Sequence, residues 1–339
     1  MEPEIAPSHP GPIPQGSTAL PELPEGGVAG SNEEVGSHMV RTNPETTNKP
    51  SYFNQFKELL DMIKFEHTVF ALPFALLGAL AGAQGFPGWR CLGWILAAMV
   101  GARTAAMTFN RLADQDLDAA NPRTASRALP AGRVSRSGAT VLLGLSVVLF
   151  GFSAGMLGPL PWKLAPVALA VLLGYSFCKR FTTLSHIVLG LALAGAPLGA
   201  WIAVGGELDA AAWSLAAGVL AWTAGFDILY ALQDEAFDRA RHLHSLPARL
   251  GAGRALALSR LLHGAALFAW ADFNLRLGAH LLPWLAWAGV AAILVREHWV
   301  VRGARLDRID HAFFTLNSLV GPLFFLGHLA EWWMRRGWV

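Results

Sequence analysis

The segment NRLADQDLDAANPRTASRALPAG, residues 110–132, directly follows a long apolar run. It spaces Asn110, Asp114 and Asp118 four residues apart at the point where a membrane-spanning helix would end, and several arginines come soon after. Carboxylates at the edge of the hydrocarbon are costly unless they are paired or bind a cation. The segment therefore raises two questions: whether the chain crosses a membrane, and what its polar end binds.

The composition indicates a membrane protein. Of the 339 residues, 53% are hydrophobic and 15% are charged, and the mean hydropathy of +0.40 is high for a soluble chain. Both cysteines lie in or beside apolar segments, so the pattern supports neither a disulfide framework nor a thiolate metal site. Residues 1–50 are rich in Pro, Gly, Ser and Glu without an apolar period, which predicts a disordered tail ahead of a membrane domain over residues 51–339.

The membrane domain contains nine apolar windows of about 18 or more residues, the length that crosses roughly 30 Å of hydrocarbon. They predict an all-α, polytopic protein with nine transmembrane helices in one bundle. The windows run approximately over 66–86, 89–110, 137–158, 161–178, 184–204, 211–232, 254–272, 279–296 and 311–334.

The distribution of Lys and Arg predicts the orientation of this bundle. With nine spans, 19 of the 26 basic residues fall on one side and five on the other, with Arg103 and Arg260 inside helices. Short cytoplasmic loops keep positive charge, so the N-terminus and every conspicuous polar motif are expected on the cytoplasmic side. A central cavity between the helices would then open to the cytoplasm.

The first motif forms a stripe on one helix face. Because each helical residue turns by about 100°, Asn110, Asp114 and Asp118 stay within about 80° of one another, and Arg103 falls on the same stripe. Asp116 points elsewhere. The three side chains would form a ladder of oxygen ligands that leads out of the membrane.

A second ladder lies in DILYALQDEAFDRA, residues 227–240, at the cytoplasmic end of the sixth window. The same arithmetic places Asp227, Asp234 and Asp238 within about 40° on one face, with Tyr230 at its edge. Either ladder alone could simply pair with lipid headgroups or nearby arginines. Two ladders on one membrane face favour a shared cation, and oxygen ligands without His or Cys favour Mg²⁺ bound together with a polyphosphate.

These motifs resemble those of the UbiA superfamily of intramembrane prenyltransferases. NRLADQDLD is similar to its N/D-x-x-x-D-x-x-x-D motif and DILYALQDEAFD to its D-x-x-Y-x-x-x-D-x-x-x-D motif. The likeness extends to KFEHTVFALPFALLGALAG, RTASRALPAG and YSFCKRFTTLSHIVLGLALAGAPLGAW, and it spans residues 52–334. One departure is Arg111, where many members have Asp.

The resemblance implies nine helices and a site for two Mg²⁺ ions on the diphosphate of a polyprenyl donor. It implies that the metal ligands are Asn110, Asp114, Asp118, Asp227, Asp234 and Asp238. Asp114, Asp234 and Tyr230 are expected to be central to catalysis. The expected substrate-binding residues are Arg103, Arg123, Arg127, Lys179 and Arg180, of which Arg180 matches the basic position taken to bind an acceptor carboxylate.

The implied reaction is transfer of the polyprenyl group to an aromatic acid at the inner membrane. 4-Hydroxybenzoate, on the route to ubiquinone, is the first expectation. 1,4-Dihydroxy-6-naphthoate, on the futalosine route to menaquinone, is the alternative, and a non-quinone acceptor would share the diphosphate site. A cation transporter is a different class, but both ladders open to one side only. Nothing in the sequence indicates a nucleic acid or an obligate protein partner.

Overall fold

The computed structural model describes Glu58, residues 68–302, Ile309 and residues 311–336, so the tail predicted for residues 1–50 lies outside the described residues. Within this part of the chain the fold is all-helical, without a β-strand. Nine long helices match the nine predicted windows in order: α1 (Thr68–Gly82), α2 (Trp89–Ala113), α4 (Arg136–Leu157), α5 (Pro159–Cys178), α6 (Ser185–Ala203), α7 (Ala210–Ala231), α10 (Ala252–Arg276), α11 (Leu281–Val300) and α12 (Asn317–Arg336).

Shorter helices fill two of the connections on one face of the bundle. They are α3 (Gln115–Ala120), α8 (Glu235–Ala240) and α9 (Leu246–Leu250), together with a 3₁₀ turn over Leu232–Asp234. A π-helical turn, His311–Leu316, leads into α12. The two acidic motifs run through α3 and α8, so these connections carry the polar residues of interest.

Five of the long helices are long and apolar enough to cross a membrane by length and composition, namely α2, α4, α5, α6 and the helical run from α7 to Ala240. The first helix is shorter, with 15 residues. The chain is therefore an integral membrane protein, and a crossing by all nine helices stays a prediction.

Local signals explain where several helices begin and end. Ser135 caps α4 by accepting a hydrogen bond from Gly138 N at 3.1 Å, and Asp209 caps α7 by accepting one from Ala212 N at 2.9 Å. Gly158 adopts φ 132°, which a side chain would disfavour, and it joins α4 to α5 with a single residue. The two helices are thereby held as close antiparallel neighbours.

The helices pack in a closed ring of neighbours. Going round it, α1 contacts α6, which contacts α7, then α10, α11 and α12, and α12 returns to α1. The pair α2 and α4 packs outside this ring and joins it through α5 and through contacts of α2 with α1 and α6. Both motif-bearing helices, α2 and α7, thus end on the same face.

Helix α7 lies at the centre of the bundle. The run from α7 to Ala240 has 83% of its apolar window buried, against 11% for α5. Its Trp222 packs against Phe74 and Trp270 in an aromatic core. Its indole N–H donates to Asn317 Oδ1 at 2.8 Å, and the Asn317 amide donates to Glu297 at 2.6 Å. Interhelical hydrogen bonds of this kind satisfy polar groups that water cannot reach.

Glycines allow the helices to approach closely. A Cβ on Gly190 of α6 would stand 2.5 Å from the Leu220 carbonyl oxygen of α7, and one on Gly78 of α1 would stand 2.5 Å from the Pro197 carbonyl oxygen of α6. Small residues at such crossings let backbones pack without a hydrophobic driving force between helices. The position of α7, and of the motif at its end, depends on these contacts.

We expect Gly190→Ala to destabilise the bundle, because the new methyl group must push α6 and α7 apart at a cost of about 1–3 kcal/mol. Gly199→Ala on the same helix is the control, since its Cβ would meet nothing within 4 Å. Thermal unfolding in detergent should show a lower Tm for Gly190→Ala and no decrease in Tm for Gly199→Ala. Equal Tm values would contradict the close packing at Gly190.

Candidate active site

The two acidic motifs are joined by the segment that follows the first one. The Asn121 amide donates to Asp234 Oδ1 at 3.0 Å. The Arg123 guanidinium donates to the same carboxylate through Nε at 2.9 Å and Nη2 at 2.5 Å, a bidentate pair. Its Nη1 donates to the Tyr230 hydroxyl at 2.9 Å. Residues more than 100 positions apart in the chain therefore share one site.

Each motif bends at its middle aspartate. The second helix ends at Ala113, and Asp114 takes φ −101° and ψ 11° before α3 resumes. In the second motif α7 passes into a 3₁₀ turn, and Asp234 takes φ −101° and ψ 3° before α8. Continuous helices were expected here. Aspartate is a poor helix-interior residue because its side chain competes for backbone groups, which is consistent with a break at each position.

The bends keep the last carboxylate of each ladder inside. Asp118 is 7% exposed and Asp238 is 2% exposed. Asp116 is exposed, which agrees with its position off the predicted stripe. Both acidic segments consequently turn these oxygens inward, at the face of the bundle that carries the α2–α4 and α7–α10 connections, which we call the loop face.

The carboxylates of the first motif are paired with basic side chains. Arg180 Nη2 lies 3.1 Å from Asp114 Oδ1, and the Asn110 amide donates to Asp114 Oδ2 at 3.0 Å. Asp118 accepts from Arg127 Nη1 at 2.6 Å, and Arg111 Nη1 lies 3.8 Å from its other oxygen. Partial burial raises the pKa of the Asp114 carboxyl despite the hydrogen bond from Arg180. The basic partners therefore do not fully offset the cost of this buried charge.

The linker between α5 and α6 bridges both motifs. Its Arg180 binds the first motif, as above, and Lys179 Nζ lies 4.0 Å from Asp238 Oδ2 in the second. The sequence predicted both residues as substrate-binding groups, and the structure places both at the acidic motifs.

Asp227 differs from the other carboxylates of the ladders in its partner, which is a histidine. Asp227 is buried, and its Oδ2 is hydrogen-bonded to Nδ1 of His186 on α6 at 2.6 Å. Arg103 also stands apart: its Nε is buried without a hydrogen-bond partner, and no ion pair to it occurs within the described residues. The structure thus gathers Asn110, Asp114, Asp118, Asp234 and Asp238 with Arg123, Arg127, Lys179, Arg180 and Tyr230. Asp227 is bonded to His186 instead, and Arg103 has no ion pair among the described residues.

Sequence reasoning missed Asn121 and His186. Asn121 precedes Pro122, and an Asn-Pro pair is a turn signal; its Oδ1 accepts from Arg123 N at 3.0 Å, which aims the arginine at Asp234. His186 has no local signal, because only the packing of α6 on α7 brings it to a carboxylate.

The donor set fits a hard divalent cation, but the ligands are not assembled for one. Asp118 Oδ2 and Asp238 Oδ2 are buried oxygens without a hydrogen-bond partner. In the part of the chain that the structure describes, no three His, Cys, Asp or Glu side chains stand close enough to hold a metal ion. Asp118, Asp234 and Asp238 are paired with Arg127, Arg123 and Lys179 instead.

Comparison with known proteins agrees with the fold and the motifs. The UbiA prenyltransferase family matches residues 71–319, and the chain belongs to this family. It is 32% identical to 4-hydroxybenzoate octaprenyltransferase of Paracidovorax citrulli (strain AAC00-1), over 88% of this chain and 100% of that protein. It is 31% identical to 4-hydroxybenzoate octaprenyltransferase of Alkalilimnicola ehrlichii, over 76% and 87%. The protein is therefore a membrane-embedded prenyltransferase.

Solved structures show the same fold. The apo structure of a UbiA homologue from Aeropyrum pernix K1 superposes with a TM-score of 0.72 at 34% identity, over 78% of this chain and 98% of that one. A UbiA homologue from Archaeoglobus fulgidus, bound to GPP and Mg²⁺, superposes with a TM-score of 0.65 at 20% identity, over 80% and 98%.

The site generates a prediction for Arg123. We expect Arg123→Lys to lower prenyl transfer by about ten- to hundredfold, because a point charge cannot replace a fork that spans both oxygens of Asp234 and reaches Tyr230. Arg133→Lys is the matched control, since Arg133 is a more exposed arginine bonded to Glu58 and the Ser126 carbonyl. Initial rates in membranes, normalised to protein, check this. Equal rates for the two variants would show that the bidentate pair is dispensable.

Proposed function

We propose that the protein transfers a polyprenyl group from polyprenyl diphosphate to the ring of 4-hydroxybenzoate, with Mg²⁺, on the route to ubiquinone. The observation that carries this proposal is the joining of two acidic motifs by Asn121 and Arg123. Two relatives that are about 30% identical over most of the chain bear the name 4-hydroxybenzoate octaprenyltransferase, which supports the acceptor.

Six residues would hold the cations: Asn110, Asp114, Asp118, Asp227, Asp234 and Asp238. Their oxygens match the preference of Mg²⁺, which binds one or two carboxylates together with waters and substrate phosphates. The structure of the Archaeoglobus fulgidus homologue contains both GPP and Mg²⁺, which supports Mg²⁺ on a diphosphate here; two ions are our proposal. When bound, Mg²⁺ would neutralise the charge that develops on the leaving diphosphate.

The basic residues of the site would have two successive partners, first the carboxylates and then the diphosphate. Arg123, Arg127 and Lys179 pair with Asp234, Asp118 and Asp238. These side chains would turn to the oxygens of a bound diphosphate, and the carboxylates that they release would then hold its cations. Arginine suits this exchange because its planar fork binds phosphate and carboxylate alike.

Departure of the diphosphate leaves an allylic cation, which must be kept from water until an electron-rich ring attacks it. The bundle provides this dryness, since its interior is lined by apolar side chains and embedded in lipid. Tyr230 is hydrogen-bonded to Arg123 and would therefore stand beside the proposed diphosphate site, where its ring would stabilise the cation.

Two arginines are candidates for the acceptor carboxylate. Arg180 is the residue that the sequence predicted, and it now has Asp114 and the Ala113 carbonyl as partners. Arg103 lies deeper in α2, and its Nε has no hydrogen-bond partner in the structure. A partly buried guanidinium gains from a counter-ion, and the acid group of the acceptor would supply one. We propose the site and the N-terminus on the cytoplasmic side of the inner membrane, as the basic loops predict.

The acidic ladders give the next prediction. Asp114→Ala and Asp234→Ala should each lower turnover by at least about a hundredfold while the protein stays folded and inserted, because each change removes a ligand from a shared charge clamp. Asp116→Ala in the same motif is the control and should retain activity, since Asp116 is exposed. Near-normal turnover in either ladder variant would contradict the proposed site.

The acceptor site is tested by a matched pair of arginine variants. If Arg180 holds the acid group, Arg180→Ala should weaken apparent affinity for 4-hydroxybenzoate about ten- to hundredfold and leave that for the prenyl diphosphate nearly unchanged, because a charge-assisted contact is worth about 1.5–3 kcal/mol. Arg180→Lys should recover only part. If Arg103→Ala shows this pattern instead, and Arg180→Ala weakens the donor, Arg180 belongs to the diphosphate clamp.

The function itself is tested by product analysis. Membranes containing the protein are given labelled polyprenyl diphosphate with 4-hydroxybenzoate and 1,4-dihydroxy-6-naphthoate in competition, with and without Mg²⁺. The proposal predicts prenylated 4-hydroxybenzoate only when Mg²⁺ is present. Prenylation of the naphthoate alone would move the enzyme to the menaquinone route, and failure to consume the diphosphate would overturn the proposal.

A further inference from the structure

A buried histidine is bonded to one carboxylate of the second motif. His186, the second residue of α6, is 0% exposed, and its Nδ1 lies 2.6 Å from Asp227 Oδ2. On the other side of the ring, the Leu246 backbone N–H donates to His186 Nε2 at 3.4 Å. The imidazole therefore links α7 to the start of α9, in the segment that follows the second motif.

These two contacts fix the tautomer of His186. The Leu246 amide can only donate, so Nε2 must accept and carries no proton. The proton of the neutral ring is then on Nδ1, where it is donated to the Asp227 carboxylate. Leu246 opens α9, and its amide is one of the N-terminal donors that lack a partner within the helix. The histidine satisfies this donor and the carboxylate together.

This arrangement leaves His186 without a free lone pair for a substrate proton. Both ring nitrogens are engaged with the protein, and the side chain is fully buried. A role as a general base is therefore unsupported. Its effect on the reaction must pass through Asp227: it holds Oδ2, and no hydrogen bond to Oδ1 occurs among the described residues.

The segment that follows the second motif is also held by the α5–α6 linker, which precedes His186 in the chain. His244 N donates to the Lys179 carbonyl at 2.7 Å, next to the bond between Leu246 and His186. Lys179 itself lies 4.0 Å from Asp238. The α5–α6 linker and the start of α6 thus hold Asp227 and the loop that follows the second motif in place.

We propose that His186 is a positioning residue for the cation site: by donating from Nδ1 to Asp227 Oδ2, it aims Oδ1 of Asp227 at a divalent cation. The inference rests on the proposed function, because it takes Asp227 as a ligand of the Mg²⁺–diphosphate complex. Partners that orient metal ligands typically change metal affinity about 10- to 100-fold when they are removed.

Two substitutions of His186 by an amide residue test its contacts with Asp227 and Leu246 separately. In His186→Asn the side-chain amide can stand where Nδ1 stands and still donate to Asp227, but it cannot reach Leu246. In His186→Gln the amide can reach the position of Nε2 and accept from Leu246, but it leaves Asp227 without its donor. His186→Ala removes both contacts.

The readouts are the Mg²⁺ concentration for half-maximal prenyl transfer and the Mg²⁺ concentration for half-maximal thermal stabilisation with a non-transferable prenyl thiolodiphosphate. We expect His186→Asn to stay within about threefold of the unmodified protein, while His186→Gln and His186→Ala need about 10- to 100-fold more Mg²⁺. Excess Mg²⁺ should then restore most of the maximal rate. In an Asp227→Asn background, His186→Gln should add no further change, since its effect passes through that carboxylate.

Three outcomes would overturn the inference. Unchanged Mg²⁺ dependence in His186→Gln, with Mg²⁺-dependent transfer in the unmodified protein, would remove the positioning role and leave the proposed function standing. A shift in His186→Asn but not in His186→Gln would show that only the contact with Leu246 matters. Absence of Mg²⁺-dependent transfer and stabilisation in the unmodified protein would instead overturn the proposed function, and this inference with it.

Discussion

Pairing between basic side chains and carboxylates across the loop face is the constraint on which the site depends. A carboxylate at the edge of a low-dielectric interior is expensive unless a positive group lies close to it. The pairs that meet this need join distant parts of the chain: Arg123 with Asp234, and Arg180 with Asp114. The same pairs also hold the loops against one another. The interactions that fold this face are therefore the ones that position the side chains of the candidate site.

The bundle determines where these pairs can form. The second acidic motif extends from α7, the most buried helix, and glycines let α6 approach it closely enough for His186 to reach Asp227. An aspartate also interrupts each motif helix, with almost the same backbone angles at Asp114 and Asp234. The bends turn the final carboxylates inward, so two helix ends of different sequence present similar sets of oxygens.

Much of this arrangement could be predicted from the sequence, because the relevant signals are local. Helix periodicity separated Asp118, which is buried, from Asp116, which is exposed, and apolar windows located nine helices in order. The bend at Asp114 was not predicted, because aspartate only weakly disfavours a helix interior and because Arg180, which bonds to Asp114 and to the Ala113 carbonyl, comes from a distant part of the chain. For the same reason the sequence pointed to Arg180 as an acceptor-binding group without showing its contact with Asp114, and it gave no sign of His186.

The exchange of basic side chains for cations at the two motifs is tested most directly by a structure of the protein with Mn²⁺ and a non-transferable prenyl thiolodiphosphate. Anomalous scattering identifies the ions, and Mn²⁺ shares the oxygen-ligand preference of Mg²⁺. The prediction is that ions are bound by carboxylates of both motifs around one diphosphate, with Arg123 turned from Asp234 to the diphosphate oxygens. Ions held by one motif alone, with Arg123 still paired to Asp234, would contradict it.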